Sequence, residues 1–330
     1  MCGIAGILSQ NKNSEDKHYI EKMCEVITHR GPDGYGFYSD EFISLGHRRL
    51  SIIDLSDNGL QPMCNEDETL WITYNGEIYN YQELRSDLAA KGHRFKSNTD
   101  TEVILHLFEE EKEGCLSKLR GMFAFAVWET KKKRLFCARD RLGIKPFHYF
   151  YDRNKFIFAS EIKAILQHPN VARVLNRMAL KDYLYFKYPV GDKSFFKDIF
   201  TLEPGHYLTV EDGEMNVCRY WDLNFNGENR NGIESVTEQL YEVLDESVRL
   251  HMISDVPLGT FLSGGIDSSS ITSICSQNYP GKLSTFCCGA ENEPENSDLK
   301  YAGKVSKTLG TDHHELILRP EDFGNFMKKA

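Results

Sequence analysis

Short apolar runs separated by polar turns fill the chain up to about residue 222. Residues 70–74, 121–128 and 134–138 read as strands, and 121–128 is apolar at odd and even positions alike, which predicts an interior strand buried on both faces. The charged stretch Glu129-Thr130-Lys131-Lys132-Lys133 turns that strand into the next. The same hairpin grammar recurs at 147–151 and 155–159, around Asp152-Arg153-Asn154. Three- and four-residue spacing replaces alternation at 81–91 and 101–113, where Val103, Ile104, Leu107 and Phe108 share one helical face. The expectation is stacked antiparallel sheet covered by helices, with the apolar stripes serving as ordinary core.

Beyond Trp221 the pattern changes. Residues 224–231 hold four asparagines and one glycine, the composition of a linker. Ile233, Val236, Leu240, Val243, Leu244 and Val248 then mark a long amphipathic helix. A strand at 257–262, a helix at 268–277, a strand at 283–288, a helix at 299–309 and a strand at 314–318 follow. Such alternation predicts a parallel sheet with right-handed crossovers, whose ligands sit at the carboxyl ends of the strands. Two domains are expected, residues 1–222 and 223–330.

Composition narrows the classes. The 330 residues are 41% hydrophobic and 12% aromatic, enough for two cores. No apolar run approaches the roughly 20 residues needed to cross a bilayer, and no basic segment precedes the short apolar stretch after Met1. No membrane span or secretory signal is expected, and the expected compartment is the cytosol. Nine cysteines, an odd number without a Cys-x-x-Cys pair, argue against a disulfide framework and a structural zinc site. His29, His47 and the pair His313-His314 form no coherent ligand set and read as structural, so no metal ligands are assigned among them. A net charge of −10 excludes general binding to nucleic acid or an anionic membrane, while leaving room for a local basic pocket.

Two stretches carry candidate chemistry. Cys2 stands directly behind Met1, and as a mature N-terminus it would join a thiol nucleophile and an α-amine base in one residue. The plain alternative is a cysteine placed there by chance. At the end of the first strand of the second half lies Phe261-Leu262-Ser263-Gly264-Gly265-Ile266-Asp267-Ser268-Ser269. Its glycines let backbone amides approach an anion, and its serines add hydroxyl donors at a helix N-terminus. No Lys-Ser or Lys-Thr pair follows, so it is not a Walker A loop. Asp267 could equally cap the helix. Two further alternatives stand on residue type alone: Asn75-Gly76 reads as a hairpin turn, and Asp100 reads as the cap of the helix beginning near Thr101.

Together these segments resemble glutamine-hydrolysing asparagine synthetases. Cys2-Gly3-Ile4-Ala5-Gly6 looks like the start of an N-terminal-nucleophile glutamine amidotransferase, and Ser263-Gly264-Gly265-Ile266-Asp267-Ser268 like the pyrophosphate loop of ATP pyrophosphatases. Between them His29-Arg30-Gly31-Pro32-Asp33, Arg49-Leu50-Ser51-Ile52-Ile53-Asp54, Asn75-Gly76-Glu77-Ile78-Tyr79-Asn80 and Ala138-Arg139-Asp140-Arg141-Leu142-Gly143-Ile144-Lys145-Pro146 stand in the family's order. The resemblance implies an α+β N-terminal-nucleophile αββα sandwich followed by a partial α/β parallel-sheet nucleotide-binding domain. It makes Cys2 the nucleophile that hydrolyses glutamine through a thioester, with the Asn75 side chain and the Gly76 amide as oxyanion donors. It gives Arg49 the substrate carboxylate and Asp100 the substrate ammonium, with Ile53 and Glu77 lining the pocket. Arg48 is the competing arginine, but only Arg49 holds the position before Leu-Ser. In the second half it assigns ATP, with Mg2+, to Leu262, Ser263, Gly264, Gly265, Asp267, Ser268 and Cys288, and implies aspartate as the acceptor that ammonia converts to asparagine.

The sequence departs from the family in two places. Cys288 replaces the more usual branched aliphatic residue, an exchange that a backbone contact survives. Family members also continue well past the position matching Ala330, so residues 1–222 are expected to retain glutaminase chemistry, while 223–330 are expected to need a chain supplying the remaining region. Three classes follow: an asparagine-forming amidotransferase, an amidotransferase for another carboxylate, and a non-catalytic fragment.

Overall fold

The computed structural model describes residues 1–11, 16–225, 227, 232–291 and 297–327. The chain divides into two compact units, residues 1–226 and 227–330. Part of the expected linker, at 226 and 228–231, lies outside the described residues.

Unit 1 opens with β1 (Gly3–Ser9), α1 (Asp16–Glu25), β2 (Gly34–Ser39), β3 (Ile43–Arg49), β4 (Met63–Cys64) and β5 (Leu70–Ile78). Next come α2 (Tyr81–Ala90), α3 (Asp100–Glu111), α4 (Cys115–Lys118), β6 (Gly121–Glu129), β7 (Arg134–Arg139), β8 (His148–Tyr151) and β9 (Lys155–Ala159). It closes with α5 (Ile162–Ile165), α6 (Arg177–Phe186), β10 (Ile199–Thr201), β11 (His206–Glu211) and β12 (Glu214–Arg219). Among the described residues these strands form two six-stranded antiparallel sheets, ordered β10-β8-β9-β1-β3-β2 and β12-β11-β7-β6-β5-β4.

Strand alternation explains the layering. Ile4 and Leu8 of β1 enter the core between the sheets, with Leu45, Ala124, Ala126, Trp128 and Phe158. Ala5 and Ile7 point the other way, into a second core with Ile20 and Met23 of α1 and Ile165 of α5. On the far side α3 packs against β5, and α2 against α3. The order of layers is therefore helix, sheet, sheet, helix. Strand β6 is interior and buried along its last seven residues, as its uninterrupted apolar run requires.

Three local expectations change. Asn75-Gly76 is not a turn: β5 runs straight through it, pairing Asn75 with Ala124 and Gly76 with Phe123. The long-range ladder with β6 overrides the local turn preference. Asp100 is not the cap of α3, because Thr99 is the cap and its side chain accepts from the Glu102 amide. Asp100 begins the helix proper, and α3 is buried from Asp100 to Phe108 rather than along a single face, since α2, β4 and β5 all press on it.

Unit 2 contains α7 (Ile233–His251), β13 (Gly259–Phe261), α8 (Ile266–Asn278), β14 (Ser284–Ala290), α9 (Asp298–Leu309), β15 (Asp312–Leu318) and α10 (Pro320–Met327). The three strands are parallel in the order β13-β14-β15. Asp267 does not cap α8: Gly265 occupies the cap position without a side-chain bond, and Asp267 lies in the first turn.

Candidate active site

One end of the paired sheets holds a cavity of about 210 Å³ lined by Cys2, Arg49, Ile53, Asn75, Gly76, Glu77 and Asp100, with Tyr74, Gln61 and Lys145. Regular elements deliver or flank most of these side chains, while Ile53 lies in the irregular segment after β3. Cys2 precedes β1, Arg49 ends β3, Asn75 to Glu77 lie within β5, and Asp100 heads α3. Two bonds fasten the sheets together beside the cavity: the His47 ring meets the Tyr74 carbonyl at 3.1 Å, and the Thr73 hydroxyl donates to the Gly46 carbonyl at 3.2 Å. The strand carrying Cys2 and the strand carrying Asn75 thus belong to different sheets held in fixed relation.

The Leu50 amide donates to the Cys2 sulfur at 3.4 Å, and the Arg30 guanidinium donates to the Cys2 carbonyl at 2.9 Å. Burial pushes the Cys2 thiol above its ordinary range, with the Leu50 amide opposing. A thiol so shifted stays protonated at neutral pH and needs a proton acceptor before it attacks. The Met1 α-amine is pulled below its ordinary value, chiefly by burial. Burial at this end of the cavity thus favours the neutral form of an α-amine, the form that can accept a proton.

Asn75 is 1% exposed, and its Nδ2 has no hydrogen-bond partner. An orphaned amide donor inside a protein is destabilising unless something else uses it. At Gly76 an added Cβ would lie 2.2 Å from the Met122 carbonyl oxygen and 2.8 Å from the Phe123 Cα. Only glycine fits there, because both obstacles are backbone.

Asp100 is buried and accepts from the Tyr74 hydroxyl at 2.8 Å and the Ile78 amide at 2.9 Å. Burial raises its pKa, and these two neutral donors only partly offset that. Glu77 is raised to about 7, first by burial and then by the charge of Asp100, with Lys145 opposing. Two carboxyls in one cavity make a site for a cation. The Arg49 guanidinium donates to the carbonyls of Ser56, at 2.7 Å, and Asp54. These bonds brace it and leave other N–H donors of its five for a ligand. Arg48 instead donates to the Cys24 carbonyl and covers the Tyr35 ring, and it does not line the cavity.

Sequence reasoning passed over Lys145, Tyr74 and Gln61. Lys145 is buried, and its pKa is lowered chiefly by burial. Gln61 accepts from the Tyr74 amide at 2.7 Å and donates to Thr101 at 3.1 Å, joining β5 to α3. Lys145 stood inside a quoted motif and Tyr74 beside another, but only the fold brings them into one cavity.

In unit 2 the turn after β13 is built around Gly264, whose φ of +79° and backbone neighbour Tyr301, 2.5 Å from an added Cβ, both demand glycine. Ser263 and Ser268 pair their hydroxyls at 3.0 Å, and the Gly265 amide donates to the Ser263 hydroxyl at 3.4 Å. Asp267 is exposed at the start of α8. Leu262 is buried in the β13–α8 turn, and Cys288 is exposed on the neighbouring strand β14. The loop is a shaped backbone cradle at a helix N-terminus, as an anion site requires.

Residues 1–221 match a family described as a glutamine amidotransferase domain, and residues 239–330 one described as asparagine synthase. The class is thus an N-terminal-nucleophile amidotransferase domain joined to a synthetase-type unit. Asparagine synthetase (glutamine-hydrolyzing) 1 of Bacillus subtilis strain 168 is 38% identical over all of this chain and 52% of its own length. A putative asparagine synthetase (glutamine-hydrolyzing) 2 of Methanocaldococcus jannaschii is 36% identical over all of this chain and 67% of its own length. The chain belongs to the glutamine-hydrolysing asparagine synthetase family. It spans about half the length of several of the curated relatives it matches. A solved structure of the allosteric regulatory enzyme of purine biosynthesis matches 96% of this chain and 80% of its own at TM-score 0.51 and 16% identity, a likeness of fold. Among the described residues no helix is long and apolar enough to cross a membrane.

Proposed function

We propose that residues 1–222 hydrolyse glutamine to glutamate and ammonia at Cys2. The observation that carries this reading is the unpaired Asn75 amide, buried in the same cavity as the thiol. Removal of Met1 would leave the α-amine on Cys2, where it takes the thiol proton. The sulfur attacks the glutamine amide carbon, and the resulting oxyanion receives hydrogen bonds from Asn75 Nδ2 and the Gly76 amide. Collapse breaks the C–N bond, the proton leaves with the nitrogen as ammonia, and water then cleaves the thioester to glutamate. Arg49 holds the substrate carboxylate bidentately, and Asp100, with Glu77 beside it, holds the ammonium. Ile53 supplies an apolar wall.

We assign residues 223–330 to the ATP-binding part of a synthetase that activates aspartate as an acyl-adenylate and amidates it to asparagine. Ser263, Gly264, Gly265, Asp267 and Ser268 would hold the pyrophosphate with its Mg2+, and the backbones of Leu262 and Cys288 the adenosine. The cradle at Gly264, which a Cβ would fill, supports this fit. Magnesium, when bound, neutralises phosphate charge as pyrophosphate leaves. Amidation of aspartate is proposed for the synthetase region as a whole, including sequence that the relatives carry beyond the matched span and that a partner chain could supply. All nine cysteines are free, which suits a cytosolic setting.

The test compares the chain with its Cys2→Ala variant, supplied with glutamine alone, by measuring glutamate release. The variant should lose at least about 10³-fold in rate. Equal rates would remove Cys2 from the chemistry.

A further inference from the structure

Outside the cavity, the one set of His, Cys, Asp and Glu side chains placed to hold an ion, among the described residues, is Glu66, His93, His106 and Glu109. Sequence spacing conceals it. Glu66 lies in the turn between β4 and β5, His93 follows α2, and His106 and Glu109 sit three residues apart on α3. The packing of α2 on α3, with β4 alongside, brings three separate segments to one point.

We propose that Glu66, His93, His106 and Glu109 bind one divalent transition-metal ion, Zn2+ by ligand chemistry. The ligand atoms all lie within 4.8 Å of one another. His106 Nδ1 is 3.5 Å from Glu66 and 3.7 Å from Glu109, and His93 Nδ1 is 3.9 Å from each of the same two carboxylates. Four atoms bonded to zinc at about 2.0–2.1 Å stand roughly 3.3–3.4 Å apart in a tetrahedron. The four histidine–carboxylate edges are wider than that and longer than ordinary hydrogen bonds, and with separations bounded at 4.8 Å the side chains must close in on a bound ion.

The independent observation is His106. It is 1% exposed, and neither ring nitrogen has a hydrogen-bond partner, while Glu109 Oε2 is likewise buried without one. Buried imidazoles ordinarily find partners, so two unused nitrogens facing carboxylates call for a ligand. Of the two outer ring nitrogens, that of His93 has the hydrogen-bonded carboxylate that metal-bound histidines use, and that of His106 faces one beyond hydrogen-bond length. With both rings coordinating through Nδ1, each Nε2 faces a carboxylate: Glu110 at 3.3 Å from His93 and Glu102 at 3.8 Å from His106. Glu102 is itself fixed by the amides of Lys96 and Ser97. Two imidazoles favour zinc or a similar transition ion over magnesium or calcium, which prefer oxygen donors. The ion would clamp the segment after α2 and the β4–β5 turn onto the helix that begins at Asp100.

The metal-free chain, prepared with a chelator, is titrated with Zn2+ alone against a chromophoric competitor, alongside Glu66→Gln and His93→Gln. Glu66 is exposed, so its variant retains the fold, which circular dichroism checks. The native chain should bind one more equivalent than either variant, or bind it at least tenfold more tightly, and its thermal midpoint should rise with Zn2+ while theirs do not. The cysteines bind zinc equally in all three chains and cancel in the comparison. Identical stoichiometry, affinity and midpoint shift in the three chains would overturn the site.

Discussion

Strand β6 of unit 1 and strand β15 of unit 2 present opposite faces of the same physical problem. Seven of the nine residues of β6 are buried, whereas six of the seven in β15 are exposed, including Leu316 at 60%. Strand β6 has a strand on each side, a second sheet on one face and α3 beyond the other. Strand β15 is the edge of a three-stranded sheet. Apolar sequence therefore does not bury itself; it is buried by the number of layers that the surrounding chain supplies. That difference extends to the sites. The Cys2 cavity is walled by elements from both sheets, while the loop at Ser263 to Ser268 is an open cradle at the end of one small sheet.

A matched pair of substitutions tests the contrast most severely. Phe125 in β6 is fully buried, and Phe286 in the central strand β14 is 42% exposed. Phe125→Ala should destabilise unit 1 by about 3–5 kcal/mol, and Phe286→Ala should destabilise unit 2 by roughly 1–2 kcal/mol. Peptide-resolved hydrogen exchange reads each unit separately. Equal losses would mean that unit 2 is as tightly packed around Phe286 as unit 1 is around Phe125.

The contrast also governs what was legible in the sequence. Apolar runs between polar turns identified β5 to β9, and strand-helix alternation identified the parallel order of unit 2 to within a few residues at each end. Helix α1 went unread although Ile20, Met23, Cys24 and Ile27 carry helical spacing, because a polar stretch separates it from the strand it covers. Helix α6 went unread although Asn176 caps it, accepting from the amides of Met178 and Ala179. Residue type alone misjudged Asn75-Gly76 and Asp100, where a strand ladder and a buried helix start outrank turn and cap preference. The cluster at His93 and His106 was invisible for a different reason, since its ligands come from three segments and no spacing rule joins them.

The cavity walled by both sheets should make catalysis sensitive to a single buried donor. Asn75→Ala removes the unpaired amide and should lower kcat about 10²–10³-fold, close to 3 kcal/mol of transition-state stabilisation, with KM for glutamine little changed. Steady-state glutaminase assays measure both constants. A rise in KM at constant kcat would assign Asn75 to substrate binding instead, and the contrast between enclosed and open sites would lose its catalytic half.

The smallest effect concerns the charge that enclosure penalises. Glu77 has a folded-state pKa of about 7, against its ordinary 4.5, so between those values the folded chain holds a proton that the unfolded chain releases. Stability must then fall as pH rises through that window, and the full penalty applies above pH 7. Glu77→Gln removes the titration. The variant should match the native chain below about pH 4.5 and exceed it by about 1 kcal/mol at pH 8, after allowance for solvent screening of a partly exposed group. Urea unfolding across pH, followed by the three tryptophans, all of which lie in unit 1, gives the difference directly. A native chain that gains stability relative to the variant over this window would show that Lys145 outweighs burial at Glu77. With glutamine bound, the substrate ammonium adds an attraction that favours ionised Glu77, so the same titration repeated with ligand should shift toward lower pH. Enclosure would then be what makes the Glu77 titration report on a cation bound beside it.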